Sequence, residues 1–361
     1  MMKSVHSDIL QFRGSHYDFG VFQGEQLKDS LTVKNREKQW KVRIPRFTVK
    51  EAEVKDAITK VAPGIWDELI GLRDSLEWPM ERVMMEFGGY RTDYKRSGCS
   101  ILTGNNYLIR NYDYMPKTYE GRYSFYQPTD TGYAIAGPTQ RITGRMDGMN
   151  EYGLTMGYNF MHRKKPGDGF ICCMIGRLIL EACANVDEAV SMLKEIPHRH
   201  SFSYTVHDRS NRTYVIETSP RGVAVRESNV CTNHFEIMKE ENRNHLVDSM
   251  KRLDAMNTHR DQLKTAYDAF RLMNDSDKGV FSDLYSQWAG TIHTAGYLPT
   301  EMKTWFALGG DREPVEFDFA KWLDGEDTLL EKIIGEVDTD IPFVHMDEGA
   351  YWSTGKKKVV K

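Results

Sequence analysis

The spacing of apolar residues changes at Cys99, and that change constrains the fold more than any other feature of the sequence. Before it, hydrophobic residues recur with a period of about 3.6; after it the period falls to about 2, the marks of amphipathic helix and half-buried strand respectively. A chain built this way sets a helical segment beside β-sheet. Ser15-His16-Tyr17-Asp18 carries a capping-box pattern and predicts a helix over 17–40. Thr48-Val49-Lys50-Glu51 opens a second helix that Pro63-Gly64 breaks, and 65–76 forms a third with Ile65, Leu69 and Leu72 on one face. Trp78-Pro79 leads into a fourth through Met84 and Met85. The first ninety or so residues thus read as helical, which divides the chain into an N-terminal helical segment, 1–98, and a core, 99–361.

Gly104-Asn105-Asn106, between alternating runs at 100–103 and 107–112, signals a hairpin. Further strands are predicted at 133–136, 139–145 and 154–160, the last entered through the turn Asn150-Glu151-Tyr152-Gly153. Helices follow over 170–184 and 186–196, the second capped by Asn185 with Glu188 at the capping-box position. Strands return at 203–207, 213–217, 223–226 and 230–232, then helices at 245–256 and 262–273, then a hairpin over 291–297 and 303–307. Blocks of strands alternating with blocks of helices, without βαβ alternation, predict an α+β fold of antiparallel sheets covered by helices.

Composition excludes several classes. With 48 Lys+Arg against 52 Asp+Glu and a net charge of −4, there is no electrostatic footprint for nucleic acid, and the closing run Gly355–Lys361 reads as a solvated tail. A membrane span needs roughly 18 apolar residues in a row, and the best run, 170–182, is broken by Arg177. The first residues lack the pattern of a secretory signal. Five cysteines, an odd number with no C-x-x-C pair, indicate neither a disulfide framework nor a structural zinc site, and free thiols suit a reducing compartment, the cytoplasm. His198-Arg199-His200 lacks a third ligand at a recognisable spacing and reads as a loop. No metal or cofactor is expected.

Chemistry concentrates around Cys99. It follows a glycine at the helix-to-strand transition, an unusual place for a thiol, although free cysteine is generally a small buried hydrophobe. The hairpin returns Arg110 and Asp113 towards it, Arg110 to hold a thiolate and Asp113 to orient an amine. Asn159 and Asn233 each end a strand, where an amide N–H can serve an oxyanion as readily as it serves a turn. Arg252 lies on a predicted helix and taken alone is an ordinary exposed arginine.

Five segments in order carry a resemblance. Gly98-Cys99-Ser100, RNYD at 110–113, DGMNEYGLTMGYNF at 147–160, CTNHF at 231–235 and DSMKRL at 248–253 together resemble the acyl-coenzyme A:6-aminopenicillanate acyltransferase family. More distantly, they resemble choloylglycine hydrolases and penicillin V acylases. HYDFGVFQGEQLK at 16–28 is similar to the acyltransferase opening, whereas Thr294-Ala295-Gly296 departs from the usual closing strand and leaves Thr294 without an assigned role. The resemblance implies a four-layer αββα sandwich of the N-terminal-nucleophile hydrolase class, made as a precursor that cleaves itself before the nucleophile. It implies Cys99 as nucleophile, Arg110 and Asp113 beside it, Asn159 and Asn233 as oxyanion and amine contacts, and Arg252 as the distal arginine of the site.

Cleavage of Gly98–Cys99 would create an α-amine with a pKa of about 8, a suitable base at neutral pH. The expected partner is a small acyl amide or acyl thioester, with acyl-coenzyme A as a candidate substrate. Water as acceptor makes a hydrolase and a bound amine makes an acyltransferase. A homo-oligomer is allowed. The segments 114–126 and 161–169 read as loops that shape the acyl pocket. Two other readings stay open: an uncleaved papain-like hydrolase pairing Cys99 with His207, His234 or His293, and a binding relative without turnover.

Overall fold

The computed structural model describes residues 1–44, 47–93, 97–161, 164–243 and 245–346, and the basic run Gly355–Lys361 lies outside the described residues. The chain starts with β1 (Met2–Gly14), α1 (His16–Leu27), α2 (Leu31–Arg43), α3 (Glu51–Thr59), α4 (Gly64–Leu76) and α5 (Met80–Phe87). The hairpin β2 (Gly98–Gly104) and β3 (Tyr107–Tyr114) is followed by β4 (Arg122–Pro128), β5 (Ile135–Gln140), β6 (Gly144–Arg145), β7 (Asp147–Asn150) and β8 (Thr155–Phe160). Next come α6 (Cys172–Ala182), α7 (Val186–Glu195), β9 (Phe202–His207), β10 (Thr213–Ser219), β11 (Gly222–Glu227) and β12 (Val230–Cys231). The last elements are α8 (Val247–His259), α9 (Ala266–Asn274), β13 (Asp283–Leu284), β14 (Ala289–Leu298), β15 (Lys303–Leu308), β16 (Val315–Asp318), α10 (Phe319–Leu323) and β17 (Lys332–Asp338).

Among the described residues these strands form two sheets. One runs β11-β10-β9-β8-β7-β5-β4-β1-β17, with β6 beside β5; the other runs β12-β2-β3-β14-β15-β16, with β13 beside β14. Every named pair is antiparallel except β1 with β4. The sheets face one another through β2, β3 and β14 on one side and β7 and β8 on the other, and the Tyr123 hydroxyl of β4 donates across the gap to Thr304 Oγ1 of β15 at 2.8 Å. Helices α6 and α7 cover the first sheet, and α8 and α9 cover the second, so the expected αββα sandwich is present. Ala269, Phe270 and Met273 of α9 pack with Leu102, Tyr107 and Ile109 of the hairpin, a second small core outside the second sheet. No helix of the described residues is long and apolar enough to cross a membrane.

Local signals act where they are self-contained. Ser15 Oγ accepts the Asp18 N–H at 3.1 Å, and Asn185 Oδ1 accepts from Asp187 and Glu188, capping α1 and α7. Three expectations need correction. The opening residues are not helical: β1 lies inside the first sheet, parallel to β4 and antiparallel to β17, and so brings the N-terminal segment into the core. The helix expected over 17–40 is two helices, because Ser30 caps a new start with its Oγ on the Val33 N–H at 3.3 Å. The segment 114–126, read as a loop, enters strand β4 at Arg122.

The N-terminal helices attach to α6 through buried polar groups. A Cβ on Gly71 would lie 2.2 Å from Tyr17 O, and one on Gly20 would lie 2.1 Å from Glu68 O, so α1 and α4 cross at a distance only glycine permits. At this layer Gln23 Nε2 donates to Glu68 Oε1 at 2.6 Å, and Arg177 joins Glu68 at 2.8 Å to Glu181 at 2.5 Å. His16 places Nδ1 2.7 Å from Asp130 Oδ1 and Nε2 2.8 Å from Glu181 Oε1, a pattern the doubly protonated ring satisfies with a donor on each side. Burial opposes that charge and Arg177 opposes it too, but the hydrogen bond and charge of Glu181, with Glu68 behind it, outweigh them and raise the His16 pKa. A raised folded-state pKa gives stability that is complete below the unfolded value of 6.5 and is lost as pH rises through the folded one. Melting temperature is therefore expected to decline as pH is raised through that folded value, and His16→Gln should flatten the decline. An unchanged slope in the variant would contradict the clasp.

Candidate active site

The β2–β3 hairpin pairs Gly98 with Asp113, Cys99 with Tyr112 and Ile101 with Arg110. Cys99, Arg110, Asp113 and Asn233 have no exposed surface, Asn159 is 1% exposed and Arg252 is 3% exposed. Arg110 reaches the thiol, with Nη2 3.2 Å from Cys99 Sγ and 2.7 Å from Tyr158 O. Its Nη1 donates to Asp147 Oδ2 at 2.5 Å. The remaining acceptor capacity of that carboxylate is taken by the Tyr297 hydroxyl and by His293 Nε2 at 3.3 Å. Gly157 leaves the space Arg110 occupies, since a Cβ there would stand 2.7 Å from Arg110 Cδ.

The peptide group of Cys99 is held as closely as its sulfur. Its N–H donates to Asn233 Oδ1 at 2.8 Å, while Asn233 Nδ2 donates to Phe160 O at 2.9 Å. Asn233 therefore turns its carbonyl, and not its amide N–H, towards Cys99. The Cys99 carbonyl accepts from Asn159 Nδ2 at 2.9 Å and from Arg252 Nη1 at 2.6 Å. Arg252 reaches in from α8 and also donates to Ser100 Oγ at 2.7 Å and Asn233 Oδ1 at 2.9 Å. Asp113 accepts from Thr291 Oγ1 at 2.7 Å and lies 3.6 Å from Arg252 Nη1. The six residues singled out in the sequence thus converge on one point.

Burial dominates the electrostatics. It pushes the Cys99 thiol up to about 11; Arg110, a hydrogen bond from the Asp113 backbone and Arg252 pull the other way, while the Asp113 charge adds to the rise. Burial likewise pushes Asp113 up to about 7, against the pull of Arg252 and of the Thr291 hydrogen bond. Burial would also raise Asp147, but Arg110, His293 and Tyr297 overcome it and hold that carboxyl below the usual range. Asp147 is thus the fixed counter-charge of Arg110, and Asp113 is the carboxyl poised near neutrality.

Asp147, Gly157 and Thr291 were not singled out from the sequence. The available signal was position: Asp147 opens, and Gly157 lies within, the segment DGMNEYGLTMGYNF. The three histidines considered as partners of Cys99 are engaged elsewhere. His207 Nδ1 meets Thr213 Oγ1 at 2.9 Å, His234 Nδ1 meets Ser249 Oγ at 2.9 Å, and His293 meets Asp147. Thr294 donates to Asn111 Oδ1 and accepts from Asn274 Nδ2, both at 2.9 Å, which ties α9 to the second sheet. His198 Nε2 lies on Leu193 O at 2.7 Å, and no cluster of three or more His, Cys, Asp or Glu suited to a metal occurs among the described residues.

Of the five buried thiols, Cys99 is the one set between the two sheets with a guanidinium on its sulfur and two donors on its own carbonyl, an arrangement suited to acyl transfer. A family model described as acyl-coenzyme A:6-aminopenicillanic acid acyl-transferase matches residues 101–313, more than half of the chain, and the chain belongs to that family. The matched span contains Arg110, Asp113, Asn159, Asn233 and Arg252 and begins two residues after Cys99. Penicillin V acylase from Agrobacterium tumefaciens is similar at 13% identity and TM-score 0.40, over 62% of this chain and 86% of that one. A mutant of the conjugated bile acid hydrolase from Clostridium perfringens is similar at 14% identity and TM-score 0.44, over 67% and 97%. The Caenorhabditis elegans ortholog of N-acylethanolamine-hydrolyzing acid amidase is similar at 14% identity and TM-score 0.38, over 56% and 92%. No curated protein matches the sequence.

Proposed function

We propose that this chain is an N-terminal-nucleophile enzyme that cleaves its own Gly98–Cys99 bond and then acts on linear amide C–N bonds or acyl thioesters, acyl-coenzyme A among them, through an acyl group carried on Cys99 Sγ. The observation that carries the reading is the separate provision for the two reacting atoms of one residue. Arg110 Nη2 stands 3.2 Å from the sulfur, and Asn233 Oδ1 stands 2.8 Å from the nitrogen. Once freed, that nitrogen is an amine with an ordinary pKa of about 8, held by Asn233 beside the thiol it serves as base.

In self-cleavage Sγ attacks the Gly98 carbonyl carbon and the thiol proton passes to the departing Cys99 nitrogen. A C–S bond forms and the Gly98 C–N bond breaks. Water then displaces the sulfur, leaving Gly98 as a carboxylate and Cys99 as a free thiol. In the processed enzyme the acyl donor replaces Gly98, its amine or thiol leaves, and water or a bound amine accepts the acyl group. Asn159 and Arg252 hold the peptide carbonyl of Cys99 and so fix the backbone of the nucleophile, and Arg110 stabilises the thiolate. A thiol held near 11 is scarcely ionised at neutral pH, so the processed enzyme depends on the freed amine, with its ordinary pKa of about 8, as base. Free thiols suit a reducing cytoplasm, where this activity belongs in this reading.

Intact mass and N-terminal sequencing of the purified chain test this. The expected result is two fragments meeting at Gly98/Cys99 that stay together through gel filtration, because β1 is paired on both sides within the first sheet. A single intact chain after prolonged incubation at pH 8 would refute self-processing.

A further inference from the structure

Gly98 is the acyl group of the first reaction this site performs, so the walls around its α-carbon are the walls any later acyl group meets. This rests on the reading of Cys99 as nucleophile. A Cβ placed on Gly98 would lie 3.1 Å from both Cβ and Oδ2 of Asp113 and 3.3 Å from Cβ of Ala289. Directly opposed residues on neighbouring antiparallel strands ordinarily keep their Cβ atoms about 4.5–5.5 Å apart, so this is a squeezed position. Asp113 Oδ2 is a side-chain end, but the other two walls, Asp113 Cβ and Ala289 Cβ, are fixed to the backbone. Asp113 sits on β3 between β2 and β14, with its carboxylate tied to Thr291 at 2.7 Å, and the Ala289 methyl is fixed to the backbone at the start of β14. The chain leading to Gly98 runs through Ser97, which is itself 3% exposed, so the continuation of an acyl chain is accommodated while a branch at its first carbon is not.

We infer that Asp113 and Ala289 form a specificity wall that admits acyl groups with an unbranched methylene next to the carbonyl and rejects those bearing a substituent on the side an L-residue would present. Asp113 also lies 3.6 Å from Arg252 Nη1, which holds the Cys99 carbonyl, so Ala289 is the position where the wall can be altered without touching the groups around the nucleophile. The same wall explains a glycine at the self-cleavage position, although the backbone there needs no left-handed conformation.

Two measurements on the full chain test the wall. Gly98→Ala should slow self-cleavage by about tenfold or more, the order expected for forcing one methyl into a packed site, and adding Ala289→Gly should recover most of the rate. The processed wild-type enzyme should cleave hexanoyl p-nitroanilide faster than one enantiomer of the α-methylhexanoyl compound by a similar factor, with the gap narrowing in Ala289→Gly. Self-cleavage of Gly98→Ala at the wild-type rate, or equal use of both enantiomers and the linear compound, would overturn the wall and leave Cys99 as nucleophile. Absence of wild-type cleavage together with absence of any Cys99-dependent turnover would instead overturn the proposed function, and the wall with it.

Discussion

Replacing Cys99 with alanine is expected to leave one intact chain and no turnover of acyl amides or acyl thioesters, while the protein stays folded. The reaction needs a C–S bond to the acyl carbon, and the methyl of alanine cannot form one. The fold does not depend on the sulfur in the same way. Arg110 keeps its bonds to Asp147 and Tyr158 O, and the Cys99 backbone keeps Asn233, Asn159 and Arg252, since all of these contact atoms other than Sγ. The truncation opens a cavity the size of one sulfur, a small cost for a buried site. Intact mass over several days, circular dichroism and an acyl-donor assay would check all three statements. Fragments meeting at residue 98, or turnover at the wild-type level, would remove Cys99 from the mechanism.

The second large effect concerns Arg110. Arg110→Met leaves the Asp147 carboxylate buried in a site with no exposed surface and without its cation. Breaking a buried pair from one side costs about 3–5 kcal/mol, because the remaining charge cannot be solvated. Self-cleavage should fall as well, by about two powers of ten or more, since the donor on the sulfur is gone. The double variant Arg110→Met/Asp147→Leu separates the two roles. It removes both charges, so much of the lost stability should return, whereas cleavage should remain slow. Recovery of cleavage in the double variant would mean that Arg110 acts only as packing. Denaturant unfolding alongside a cleavage time course distinguishes these outcomes.

What could be read from the sequence was local or was repeated in order along the chain. The hairpin of β2 and β3 is written in alternating residues around Asn105-Asn106, and it alone brings Arg110 and Asp113 next to Cys99. The caps at Ser15 and Asn185 depend on contacts two or three residues away. β1 was not legible because Met2–Gly14 mixes Ser, His and Asp with apolar residues, and its strand state comes from β4 and β17, whose residues lie more than a hundred positions away in the chain. For the same reason the end of the segment 114–126, read as a loop, proves to be strand β4 only once its neighbours on both sides are known.

At the site, the sequence by itself determined which residue types are present and that Cys99 begins a strand whose partner carries Arg110 and Asp113. Only the tertiary structure decided that Asp147 holds Arg110, that Gly157 makes room for it and that Thr291 fixes Asp113, because these contacts join strands from different hairpins or across the two sheets. It also decided that Asn233 turns its carbonyl to the Cys99 nitrogen, with its own amide on Phe160 O. The physical reason is burial. In a water-excluded site each polar group must find a partner, and which partner it finds depends on how the sheets meet, which spacing along the chain does not encode.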